Sequence, residues 1–160
     1  MNYWKLGCNW GRGMPDFYSL LKEKRIVICG GHQMEKGDWV LICQGHDAVA
    51  LARIGVTPVP SSSRADLQAD FERLQITYDE TNPVADVAEF YELTESERFQ
   101  YQLQQGICRI NNPEIRGTIE SILTAREGTK MIAQTTKLLK SKKNVILQGA
   151  PGTGKKGARV

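Results

Sequence analysis

Residues Gly37 to Val56 read GDWVLICQGHDAVALARIGV. Trp39 to Cys43 is an apolar run of strand length, rich in branched side chains, and Ala48 to Val56 is a second such run. Gln44-Gly45-His46-Asp47 separates them with turn-forming residues. The stretch predicts a β-hairpin with a somewhat long loop. Further strands are expected on both sides of it, at Tyr3 to Gly7, Arg25 to Cys29, Val87 to Leu93, Phe99 to Gln104 and Gly106 to Ile110. The Phe99 to Gln104 segment alternates apolar and polar residues, as a half-buried strand does. Helices are expected at Phe17 to Glu23, capped by Asp16, and at Arg64 to Leu74, where Leu67, Phe71 and Leu74 share one face. Ile76 and Tyr78 would suit a strand. Strands and helices in this mixture make the fold class α+β.

The pattern changes near Asn111. Asn112 followed by Pro113 is a helix start, a capping side chain and then a residue that lacks an N–H to lose. Helical spacing of Ile115, Ile119, Ile122 and Leu123 continues to Arg126, and Gly128 is read as its stop. Thr129 to Lys140 is read as a second helix, carrying Met131, Ile132, Leu138 and Leu139. Asn144 to Lys155, NVILQGAPGTGK, then reads as a short buried strand leading into a glycine-rich loop. That loop, Gly149 to Lys155, has the spacing G-x-x-x-x-G-K, in which backbone N–H groups cradle phosphates and the lysine adds charge. The nucleotide-binding residues in this reading are Gly149, Gly152, Thr153, Gly154 and Lys155. Lys156 stands where the motif has a Ser or Thr to hold magnesium. No second acidic strand follows. The expectation is therefore a truncated phosphate-binding loop without turnover. The resulting division is 1–111, a β-rich domain; 112–143, a helical connector; and 144–160, the remnant.

The chain has 160 residues, 41% of them hydrophobic and 24% charged, so it can bury a core without disulfides. The net charge of +3 is a weak pointer to polyanions, and Lys137, Lys140, Lys142, Lys143, Lys155, Lys156 and Arg159 cluster towards the end. No apolar run is long enough to cross a membrane and the first residues lack a signal-peptide pattern. The expected location is cytoplasmic, with no membrane partner. Cys8, Cys29, Cys43 and Cys108 read as reduced, buried thiols. Cys29 with His32 and Cys43 with His46 have ligand types suited to zinc, but each cysteine closes an apolar strand, which favours packing and leaves no metal in the expectation. No arrangement of Ser, His, Asp or Cys commits to catalysis.

Two stretches resemble known families. The span from Thr129 to Lys155 resembles the entry to the AAA+ motor of McrB-type restriction proteins. That resemblance implies ATP or GTP with magnesium in an intact parent protein, a ring homo-oligomer and a partner nuclease subunit. Met1 to Asn111 resembles the EVE branch of the PUA-like domains, relatives of the YTH readers. The residues that carry the likeness are the Tyr3-Trp4-Lys5 opening, Asn9-Trp10-Gly11, Gly37 to Ile42, the Ala50 to Val56 return and Gln105-Gly106-Ile107. It implies a small twisted β-barrel with helices packed outside, and a reader that takes a modified, often methylated, base of DNA or RNA into an aromatic pocket. A flipped base needs π-faces and hydrogen bonds at its edge. Trp10, in a glycine-rich loop, is the first stacking candidate, and Asn9 the base-edge candidate. Trp39 and Trp4 are further candidates, although their strand positions favour packing. Arg12, Lys22, Lys24 and Arg25 are candidates for phosphate contacts. The alternatives are an NTPase fragment and a protein-interaction module built on the 113–140 helices.

Overall fold

A computed structural model describes residues 1–9, 13, 15–102 and 106–149, with side chains to residue 139. The chain divides into two units, Met1–Arg116 and Gly117–Val160.

The first unit is an α+β structure built on a curled, half-barrel sheet with flanking helices. Its strands are β1 (Tyr3–Gly7), β2 (Ile26–Ile28), β3 (Trp39–Gln44), β4 (Asp47–Ile54), β5 (Val59–Pro60), β6 (Pro83–Glu92), β7 (Phe99–Gln100) and β8 (Ile107–Arg109). The sheet order is β2-β6-β4-β3-β1-β8, with β5 on β6 and β7 on β4. β1 pairs with β3 in parallel, Tyr3 opposite Trp39 and Gly7 opposite Cys43. The remaining pairings are antiparallel. α1 (Tyr18–Lys24) lies between β1 and β2 in the chain, and α2 (Gln68–Arg73) follows two short 3-10 turns.

Alternation along β1 and β3 sends Trp4, Leu6, Val40 and Ile42 into the main core, where Phe17, Leu20, Leu21, Leu67 and Phe71 meet them. The other face of the same strands carries Tyr3, Lys5, Leu41 and Cys43, and these are buried as well. Burial on both sides explains why VLIC reads as a continuous apolar run rather than an alternation.

Two local devices fix this arrangement. The buried Asp38 carboxylate accepts three hydrogen bonds, from the Asn2 N–H and the Trp4 Nε1–H at 2.9 Å each and from the Glu35 N–H at 3.0 Å. It thereby ties the start of β1 to the start of β3. At Gly55 the chain leaves β4 beside a bulge, and a Cβ there would lie 2.8 Å from the backbone nitrogen of Ala88. Only glycine permits that approach.

Several expectations change. The hairpin turn is tight: β3 ends at Gln44 and β4 begins at Asp47, with Gly45 at φ +61°. A positive φ at the first turn position suits a two-residue hairpin. Ile76 and Tyr78 are not in a strand; Ile76 is buried, and the Tyr78 hydroxyl donates to the Arg64 carbonyl. β6 starts at Pro83, four residues before the predicted strand. β7 has two residues, and 103–105 lie outside the described residues.

The described residues of the second unit belong to one helix. α3 runs from Pro113 to Gly149, capped as expected by the Asn112 Oδ1, which accepts from the Glu114 and Ile115 N–H groups. Gly128 does not stop it. An interior glycine costs only about 1 kcal/mol relative to alanine, which its helix-forming neighbours offset. Asn144 to Gly149 continue the helix instead of forming the predicted strand. A buried strand requires partners to take its backbone hydrogen bonds, and none of the described strands pairs with this segment, whereas the helix satisfies them internally. The loop from residue 150 onward lies outside the described residues, including Gly152, Thr153, Gly154 and Lys155.

Two substitutions test this account in urea denaturation. Asp38→Ala strands three donors in a buried setting and is expected to cost about 3 kcal/mol or more. Gly55→Ala forces β4 and β6 apart and is expected to cost about 1–3 kcal/mol.

Candidate nucleic-acid interface

Three segments converge at one end of the sheet. The first is the loop that leaves β1. Its base is closed by hydrogen bonds from the Cys8 N–H to the Cys43 carbonyl (2.9 Å) and from the Phe17 N–H to the Cys8 carbonyl (3.1 Å), with Phe17 buried beneath. The second is the β3–β4 turn. The Gln44 side-chain amide reaches the Asp16 carboxylate at 3.2 Å, and that carboxylate also accepts the Tyr18 N–H at the start of α1. The third is Phe99 to Gln102, together with Gly106. Gln100 pairs with Asp47, the Tyr101 N–H donates to the His46 carbonyl at 2.8 Å, and the Gly106 carbonyl accepts from Gly7 at 2.7 Å.

This end presents exposed Asn9, Gln44, His46, Gln100 and Gln102, with Phe99 and Tyr101 half-buried among them. Amide groups can donate and accept at once, as a base edge requires. Behind the rim lie Lys5, Cys43 and Cys108, all buried. Burial holds the Tyr101 hydroxyl above its ordinary pKa, reinforced by Cys108 and Cys43, so it stays protonated and able to donate. Burial pushes the Cys43 thiol up to about 12, although the charge on Lys5 pulls it down. Cys29 is also pushed up to about 12 by burial, and Cys8 and Cys108 are raised for the same main reason.

The sequence candidates separate. Asn9 is exposed at the convergent end. Trp10 and Arg12 belong to the same loop but lie outside the described residues. Trp39 is not beside Asn9. The parallel register sets it against Tyr3, four residues along β1 from Gly7, which is roughly 13 Å of strand. It is buried and stacks on Tyr91, with ring centroids 5.9 Å apart. Trp4 faces the main core, its indole N–H held by Asp38 and its ring edge-on to His32. Neither tryptophan offers a face at the convergent end. Lys22 pairs with Glu92 at 2.9 Å, both exposed, and Lys24 approaches the half-buried Asp70 at 3.9 Å. Arg25 is exposed and ends α1 with φ +53°.

Gln44, Gln100 and Tyr101 were not singled out by sequence reasoning, and His46 was weighed only as a zinc ligand type. Their turn and strand character was readable, but the pairing of Asp47 with Gln100 joins residues 53 apart and left no local signal. Among the described residues, no three of His, Cys, Asp or Glu gather where a metal ion could be held. No described helix is long and apolar enough to cross a membrane. Compared with protein-family models, with characterised proteins and with solved structures, the chain matches none.

All four cysteines are buried and free, Cys8 and Cys29 in the main core and Cys43 and Cys108 outside it, which gives a direct check on the packing of both faces of the sheet. A thiol whose pKa is raised from about 8.5 has little thiolate to react. Ellman's reagent at pH 8 is expected to label the native chain slowly, with four equivalents released once it is denatured. Rapid native labelling would contradict the burial described.

Proposed function

We propose that the first unit is a nucleic-acid-binding module that takes a modified, typically methylated, base into a pocket at the convergent end of the half-barrel. The carrying observation is the convergence itself: the base of the loop at Cys8 and Asn9, the Gln44–Asp47 turn, and Phe99 to Gln102 with Gly106 meet where half-buried aromatic rings and side-chain amides are presented. In this reading Trp10 stacks on the base, Asn9 and the neighbouring glutamines meet its edge, and Tyr101 donates from the wall. Arg12 and the α1 basic residues face phosphate; Lys22 and Lys24 would exchange their surface carboxylate partners for it, at little cost for exposed pairs.

The PUA-like resemblance of residues 1–111 supports this assignment, and the curled mixed sheet with flanking helices agrees with it. The same proposal makes this module the specificity domain of a McrB-like restriction protein, whose AAA+ motor would use ATP or GTP. The G-x-x-x-x-G-K spacing at Gly149 to Lys155 supports that part.

The test is tryptophan fluorescence of the full chain titrated with short oligonucleotides. Methylated, hydroxymethylated and unmodified cytosine and adenine are compared, in single and double strands and at two salt concentrations. A modification-dependent quench is expected, and Trp10→Ala is expected to weaken binding by about 1–3 kcal/mol with an unchanged circular dichroism spectrum. Binding that ignores modification and disappears with salt would leave only a basic surface and contradict the proposal.

A further inference from the structure

The β3–β4 turn carries a carboxylate whose side chain the fold barely uses. Gln44, Asp47 and Gln100 stand side by side on three neighbouring strands, with Asp47 paired to Gln44 on one side and to Gln100 on the other. Cross-strand partners present their side chains on the same face, and neighbouring strands lie about 4.8 Å apart. All three residues are exposed. The other carboxylate at this end, Asp16, is occupied: one oxygen accepts the Tyr18 N–H at 2.8 Å and the other the Gln44 amide at 3.2 Å. Asp47 differs. Its Oδ1 accepts the Gln100 amide at 3.4 Å, longer than an ordinary hydrogen bond, and its Oδ2 accepts none from any described residue. Its backbone is nevertheless held between two strands, so the carboxylate stands on a fixed base.

We propose that Asp47 is a specificity-determining residue of the base-binding site, where it accepts a hydrogen bond from the exocyclic amine of the base. This rests on the base-reading assignment made above. A carboxylate only accepts, and it repels phosphate, so at this rim it serves a ligand group that donates. In cytosine and in adenine the exocyclic amine carries the only N–H of the base edge, and a carboxylate accepting from such an amine is a recurrent pairing in base readout. The Gln44 or Gln100 amide, one strand away, can donate to the ring nitrogen beside the amine. The modified base must then keep an amine hydrogen. 5-Methylcytosine and N6-methyladenine keep one, and N6,N6-dimethyladenine does not.

Fluorescence titration of the full chain with paired oligonucleotides tests this. One pair carries 5-methylcytosine or 5-methylpyrimidin-2-one, which differ only in the amine. The other carries N6-methyladenine or N6,N6-dimethyladenine. For the base that the chain reads, the form with an N–H is expected to bind about tenfold tighter than its counterpart. Asp47→Ala is expected to bring the two forms to nearly equal affinity without weakening the counterpart. Asp47→Asn, which keeps an oxygen acceptor at the same place, is expected to retain part of the preference. Both variants are expected to keep the circular dichroism spectrum of the parent chain. A parent chain that binds the modified base and its counterpart alike overturns this proposal and leaves the base-reading assignment standing. A preference that survives in Asp47→Ala does the same, and so does an equal weakening of both forms, which marks a structural role. Failure of all four oligonucleotides to bind overturns the base-reading assignment, and this proposal with it.

Discussion

The clasp at Asp38 is the constraint on which the first unit depends. Parallel strands cannot be joined by a short hairpin, so β1 and β3 have no local device to find each other. Asp38 supplies one from within the pair, holding the Asn2 N–H, the Trp4 indole and the Glu35 N–H on a single buried carboxylate. A buried charge is costly unless hydrogen-bonded, and here three donors offset that cost. Once Tyr3 is set opposite Trp39, the register carries Gly7 to Cys43 and delivers the following loop to the β3–β4 turn. The clasp and the candidate interface are therefore opposite ends of the same two strands.

That geometry separates the aromatic residues into two kinds. At the clasp end Tyr3, Trp4, Trp39 and Tyr91 are committed to packing. Trp39 stacks on Tyr91, and the Arg116 guanidinium lies 5.3 Å over the Tyr3 ring, a distance at which the cation is attracted to the ring face. At the loop end Phe99 and Tyr101 remain half-buried beside exposed amides. A site that receives a planar ligand needs the second kind, because the first has no face left to offer.

Much of the framework was legible in the sequence, and the reasons are local. Apolar runs bounded by glycine marked β1, β2 and the β3–β4 hairpin, and Asn112-Pro113 marked the start of α3 through a cap that the structure contains. What failed was non-local. Gly128 and the Val145-Ile146-Leu147 run looked like a stop and a strand. Neither has a tertiary partner among the described strands, and helix continuation takes the backbone hydrogen bonds. At the convergent end, the exposure of Asn9 agrees with its place in a glycine-rich loop of the sequence. The strand positions of Trp39 and Trp4 already favoured packing, and the parallel register, which no hairpin rule supplies, places Trp39 at the far end from Asn9. Gln44, His46 and Tyr101 became visible once β7 was paired with β4.

The central claim is that the convergent end of the half-barrel is the binding surface. Mapping amide chemical shifts of the labelled chain during titration with a methylated oligonucleotide tests it most directly. The account predicts the largest changes at Asn9, Gln44 to Asp47 and Gln100 to Gln102, with the Asp38 clasp unmoved. Changes confined to the lysines of α3, with those loops unaffected, would contradict it.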